Sequence, residues 1–118
     1  MKPAPWLTVT TDPPPAIVDG RAGRTRAAFF AEVARVLSFP DYFGHNWDAL
    51  ADSLRDLGPV DVIVAHAEEL LADEPLGQLA ILLDVMGSAD GLTLTLSTDP
   101  EHETALRQRI AAALPTPG

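Results

Sequence analysis

Cysteine is missing from all 118 residues. That excludes a disulfide framework, a thiolate zinc site and a cysteine nucleophile together. Long apolar runs are missing too, and no basic start leads into an apolar stretch. Neither a membrane span nor export is expected, and a cytoplasmic home is the reading that follows. Bases are scarce: eight Lys and Arg stand against 17 Asp and Glu, a net charge of −9. Aromatics make up only 6%. Apolar residues reach 47% and charged residues 21%, enough for a packed core, so wholesale disorder is not expected. A chain of this length fits a single domain.

The charge that is present is unevenly spread. From Asp41 to Glu103 there are 14 acids and one base, Arg55. A field of that sign repels nucleic-acid phosphates and attracts a basic protein, speeding the encounter. Many proteins are acidic only for solubility, so charge by itself leaves both readings open.

Punctuation residues divide the chain. Residues 1–15 carry Pro3, Pro5, Pro13, Pro14 and Pro15, and read as a Pro-rich arm in which Trp6–Thr10 is either a short edge strand or part of the arm. Ala16-Ile17-Val18 is a short strand candidate closed by the turn signal Asp19-Gly20. Thr25 is an N-cap residue type for a helix to about Leu37, with Phe29, Val33, Val36 and Leu37 at helical spacing. Pro40 stops it. Asp41 to His45 is a loop in which Gly44 is free to take a positive φ. Asn46 caps a second helix to about Leu57, and Gly58-Pro59 ends it.

Val60–Ala65 is apolar and β-branched and reads as a central strand. Ala67–Ala72 reads as a short helix, Pro75 opens another through about Met86, and Leu92–Leu96 alternates as a strand does. A last helix spans about 100–114. Strands separated by helices imply a small parallel sheet in an α/β domain, either three-layered or two-layered with an open face.

The helix from Asn46 to Leu57 has two faces. Trp47, Leu50, Leu54 and Leu57 form an apolar stripe. Asp48, Asp52 and Asp56 are spaced four apart on roughly the opposite side. Like charges at that spacing cost about 0.2–0.5 kcal/mol per pair, and only Asp48 sits where the helix N-terminus offsets the repulsion. The row is either a solvated outer face or a set of anions held for a partner.

The ordered run Phe39-Pro40-Asp41-Tyr42-Phe43-Gly44-His45-Asn46-Trp47-Asp48-Ala49-Leu50-Ala51-Asp52-Ser53-Leu54 resembles the signature of the barstar family, intracellular inhibitors of barnase-type ribonucleases. The likeness extends over about residues 16–97. It implies a barstar-like domain over 16–118: a small three-stranded parallel sheet packed by helices, with an additional C-terminal helix and the N-terminal arm outside the likeness. It also implies a steric and electrostatic plug. The second helix and the loop before it would enter a nuclease's active-site groove, with Asp52 where the substrate phosphate sits and Asp48 a turn earlier. Tyr42 would pack on the nuclease, and Gly44 and Asn46 would hydrogen-bond it.

The candidate partner-binding residues are therefore Tyr42, Gly44, Asn46, Trp47, Asp48, Asp52 and Asp56. The expected partner is a basic, barnase-like ribonuclease or another basic toxin. The runner-up is a barstar-like module for a basic partner that is not a nuclease. No nucleic acid, membrane or cofactor is expected. Two departures stand out. Ala51 replaces a large aromatic, and Trp47 replaces an aliphatic residue, either compensating or joining the core. The glutamate that barstar uses on its later helix aligns with Met86, and Asp84 is the nearest acid.

Other chemistries fit less well. Asp48 and Asp52 as a glycosidase pair would need an apolar pocket to raise one carboxyl's pKa, and an exposed helix face supplies none. A metal on His45, Asp48 and Asp52 competes with a simpler reading of His45 as solvent- or partner-facing. His66 reads as a sheet-end residue and His102 as a surface helix residue, so no metal site is assigned. Phe43 is expected to close the loop onto the core, and Trp6 has no functional reading.

Overall fold

A computed structural model describes residues 6–11, 18–40 and 43–114. Tyr42, Asp41 and the Pro13–Pro15 run lie outside the described residues. Among the described residues, four strands and four α-helices follow in the order β1 (Leu7–Thr10), β2 (Val18–Asp19), α1 (Arg26–Val36), α2 (Trp47–Leu57), β3 (Val60–Ala65), α3 (Leu76–Gly87), β4 (Leu92–Ser97) and α4 (Glu103–Ala113).

Every pairing is parallel, in the spatial order β1-β4-β3-β2. The sheet thus has four strands, not the three expected. The additional strand is Leu7–Thr10, paired in register with Leu94–Ser97. Two backbone bonds bracket that pairing, from Leu94 N–H to the Trp6 carbonyl (2.8 Å) and from Thr98 N–H to the Thr10 carbonyl (3.0 Å). The Trp6 ring lies over Gly87 at the end of α3, where a Cβ would approach Trp6 Cζ2 to 2.7 Å. A side chain there would push the ring, and with it the start of β1, off the helix.

One face of the sheet is covered. Leu92, Leu94 and Leu96 alternate inward along β4, matched in register by Val62 and Val64 of β3 and by Leu7 and Val9 of β1. Thr8, Asp61 and Thr93 stand exposed on the other face, where Thr93 Oγ1 donates to Asp61 Oδ1. The domain is accordingly the two-layer alternative, an α/β sandwich with one open face. Burying a leucine contributes about 1.5–3 kcal/mol relative to leaving it exposed, so the alternation fixes which way every strand turns.

The helices begin where their caps place them. The Thr25 hydroxyl accepts from Ala28 N–H at 3.2 Å, and Glu74 reaches across the fold to accept from Arg26 N–H at 2.8 Å. Both satisfy donors that a helix N-terminus leaves free. Glu32 is buried on α1. It accepts from Asp19 N–H at 3.1 Å and from Arg35 Nη2 at 2.9 Å, tying the helix to β2.

The segment after β3 departs from the helix expected over Ala67–Ala72. A short 3-10 turn covers Ala67–Glu69, Leu70 is extended, and Leu71 turns left-handed with φ 53°. Burial overrides helix here. Leu70 and Leu71 both enter the core, and their freed carbonyls accept from Arg109 at 2.7 and 3.0 Å. Arg24 clamps the same loop through Glu69 (2.6 Å) and Asp73 (2.8 Å).

Candidate functional site: the outer face of α2

Asn46 is extended (φ −147°), and its side-chain oxygen accepts from Ala49 N–H at 2.8 Å, so α2 starts where the cap residue predicts. Gly58 ends it at φ 78°, a left-handed conformation that a β-carbon disfavours. Between these stops the helix is locked from one side. Leu50 and Leu54 are fully buried. Trp47 is half-buried, with its ring centroid 4.8 Å from that of Phe30 in an edge-to-face contact and 6.0 Å from that of Phe29. Its Nε1–H donates to Gln78 Oε1 of α3 at 3.0 Å. Trp47 is therefore turned toward the core. The apolar stripe stops at Leu54, because Leu57 is 42% exposed.

Asp48, Asp52 and Asp56 are all exposed on the outward side. Asp52 Oδ1 pairs with Arg55 Nη2 at 3.2 Å. The preceding loop is closed onto the core through Phe43, which is buried against Phe39 at 5.0 Å and Phe30 of α1 at 6.3 Å. His45 is exposed, with its ring 5.4 Å from that of Phe43. Gly44 is exposed and does not take the positive φ that a glycine is free to adopt. Among the described residues of this connection, the left-handed one is Ser38, at φ 57°. What Gly44 provides is room: a Cβ there would stand 3.3 Å from Asn46 Nδ2.

Two depressions flank the acidic row. On one side a groove of about 610 Å³ runs between the ends of α2 and α3, floored by Ala51, Val85 and Ala89 and edged by Arg55, Asp84 and Asp90. A smaller one, about 220 Å³, lies between Phe39, Phe43, Ser53, Asp56 and Leu57. Ala51 is half-buried, and its small side chain keeps the larger groove open. Met86 is buried in the core and offers nothing to the surface, whereas Asp84 is exposed on the groove. Asp90 joins Asp84 at the groove edge, a residue that composition and helical spacing do not mark. Its place in an Asp-Gly turn was the only available signal, and turns are common without a role.

The structure thus brings Asn46, Asp48, Asp52 and Asp56 onto one rigid helix, with Gly44 at its entrance. It directs Trp47 inward. Tyr42 lies outside the described residues. Among the described residues, no helix is long and apolar enough to cross a membrane.

The fold and this face define a small α/β domain that presents fixed carboxylates on a well-anchored helix. The chain matches the family described as Barstar (barnase inhibitor) over residues 14–93, and it belongs to that family. Barstar is a family of inhibitors rather than of enzymes, and its partner is a protein. The match takes in β2, α1, α2, β3 and α3 and ends as β4 begins; β1 and α4 lie beyond it. No curated protein matches the chain.

Proposed function

We propose that this domain inhibits a basic microbial ribonuclease by stoichiometric occlusion, with Asp52 and Asp48 occupying the cationic groups that otherwise hold RNA phosphate. The observation that carries this reading is the row of three exposed aspartates on a helix whose other face is immobilised by Leu50, Leu54 and Trp47. A ribonuclease must concentrate Arg, Lys and His to stabilise phosphate charge. Carboxylates fixed on a rigid helix satisfy those groups without offering a bond to cleave, and little conformational entropy is lost in docking them. Gly44, Asn46 and Tyr42 form the leading edge of the interface, Asp56 its trailing edge, and the site does no chemistry of its own.

The test is a titration against a barnase-type ribonuclease, following cleavage of a fluorogenic RNA. Wild type should inhibit at one-to-one stoichiometry, and Asp52→Ala should inhibit much less. Binding to a basic protein that neither blocks cleavage nor competes with RNA would instead support a barstar-like module for a non-nuclease partner. Undiminished inhibition by Asp52→Ala would refute the assigned face.

A further inference from the structure

Away from α2, Glu68, Asp99 and His102 meet at the carboxyl-terminal edge of the sheet. Glu68 belongs to the turn that leaves β3, and Asp99 and His102 to the turn that leaves β4. One ligand-capable atom from each lies within 4.8 Å of those of the other two. Residues more than 30 positions apart in sequence are brought together because β3 and β4 are paired neighbours running the same way. In open parallel α/β sheets this edge is where ligands are generally held.

The donors are oriented rather than loose. Thr98, buried at the end of β4, donates from Oγ1 to Glu68 Oε1 at 2.7 Å and so fixes the half-buried carboxylate from one side. Its second oxygen lies 3.9 Å from Nδ1 of His66. The backbone N–H of His102 donates to Asp99 Oδ1 at 3.0 Å and sets the second carboxylate. His102 Nδ1 stands 2.8 and 2.9 Å from the two oxygens of Asp99. Adjacent ligands around an ion bound at about 2.0–2.2 Å are separated by roughly 3 Å. A metal in place of the shared proton therefore requires little movement of His102 and Asp99, with Glu68 closing in from within 4.8 Å.

We propose that Glu68, Asp99 and His102 form a binding site for a divalent first-row transition ion of the zinc type, completed by water or by His66. The imidazole selects this class over calcium and magnesium, which take oxygen donors. Bound there, the ion staples the turn after β3 to the turn after β4 and stabilises the fold by mass action. No residue of α2 takes part, so this site stands or falls independently of ribonuclease inhibition.

The experiment is calorimetric titration of the full chain with zinc chloride, and separately with magnesium chloride. Side-chain nitrogen NMR of the histidines runs alongside on wild type. One zinc ion per chain is expected, with a shifted His102 Nδ1 resonance and a raised Tm. His102→Gln and Glu68→Gln should each weaken binding by about tenfold or more, while His45→Gln should not. The proposal is overturned by no zinc uptake, by equal magnesium uptake, or by an unshifted His102 resonance at zinc saturation. A loss in His45→Gln as large as that in His102→Gln overturns it too. The wild-type resonance decides the matter even if a variant folds poorly.

Discussion

Arg55 Nη2 lies 3.2 Å from Asp52 Oδ1, so the central anion of the acidic face is paired with the one base between Asp41 and Glu103. Both side chains remain mostly exposed, at 75% and 70%. Such a pair within one helix contributes only about 0.3–0.5 kcal/mol. A partner's cations must compete with it before they reach Asp52. Arg55→Ala should leave stability within about 0.5 kcal/mol of wild type. It should speed association with a basic ribonuclease a few-fold at low salt, read by stopped-flow mixing. Slower association would mean that Arg55 is itself a contact.

Position along the helix should grade the aspartates. Asp52 lies one turn nearer the start of α2 than Asp56, which borders the smaller groove beside Phe39 and Phe43. Asp52→Ala is expected to cost about 2 kcal/mol or more of binding energy, and Asp56→Ala less than about 1. Inhibition constants for the two variants measure this directly. Equal losses would count against the assigned face.

Association should also respond to salt. Exposed charges are screened over about 10 Å at 0.1 M ionic strength. The wild-type on-rate should therefore fall steeply between 0.05 and 0.5 M sodium chloride (~tenfold or more), with a smaller change in the off-rate. A flat salt profile would remove electrostatic steering from the account.

The anchoring side of α2 makes a different prediction. Leu54→Ala opens a void in a close-packed layer and should destabilise by about 2–5 kcal/mol in urea titrations. Trp47→Phe keeps the ring contact with Phe30 but leaves Gln78 without its donor, and should cost about 1 kcal/mol. Both losses belong to the fold. A folded Trp47→Phe protein should inhibit nearly as well as wild type, and a large loss of binding at unchanged stability would place the ring in the interface.

Acid should loosen the loop after β3. The guanidinium of Arg24 grips Asp73 through two hydrogen bonds, at 2.8 and 3.2 Å, and holds its carboxyl below the ordinary carboxylate range. A depressed folded-state pKa contributes stability at pH values above the unfolded value, near 3.9. That contribution disappears as pH falls from about 4 through the lowered folded value. Asp73→Asn should therefore be less stable than wild type at neutral pH, and the gap should close below pH 4. A gap that persists at pH 2 would mean that the loop is held by packing instead.

Asn46, Thr25 and the Gly58-Pro59 stop define their helix ends through local hydrogen bonds and backbone preferences, which short stretches of sequence contain in full. The alternation of Leu92, Leu94 and Leu96 likewise announced a strand with one buried face. The last helix is shorter than expected, starting at Glu103 rather than near Pro100, because Asp99 caps a separate turn through His102 N–H. Leu70 and Leu71 look helical in sequence and are not, because the core takes both side chains at once.

The sequence by itself determined the acidic helix: its cap and stop follow from local hydrogen bonding and backbone preference, and its buried leucines and three outward carboxylates from spacing at 3.6 residues per turn. Only the tertiary structure decided that Leu7–Thr10 joins the sheet beside a strand more than 80 residues away. It alone decided that Trp47 turns toward α1, and that Ala51 borders an open groove edged by Asp84 and Asp90. The physical reason is the range of the interactions. Caps and helix faces depend on neighbours within one or two turns, whereas parallel pairing and grooves between helices depend on which distant surfaces are buried together.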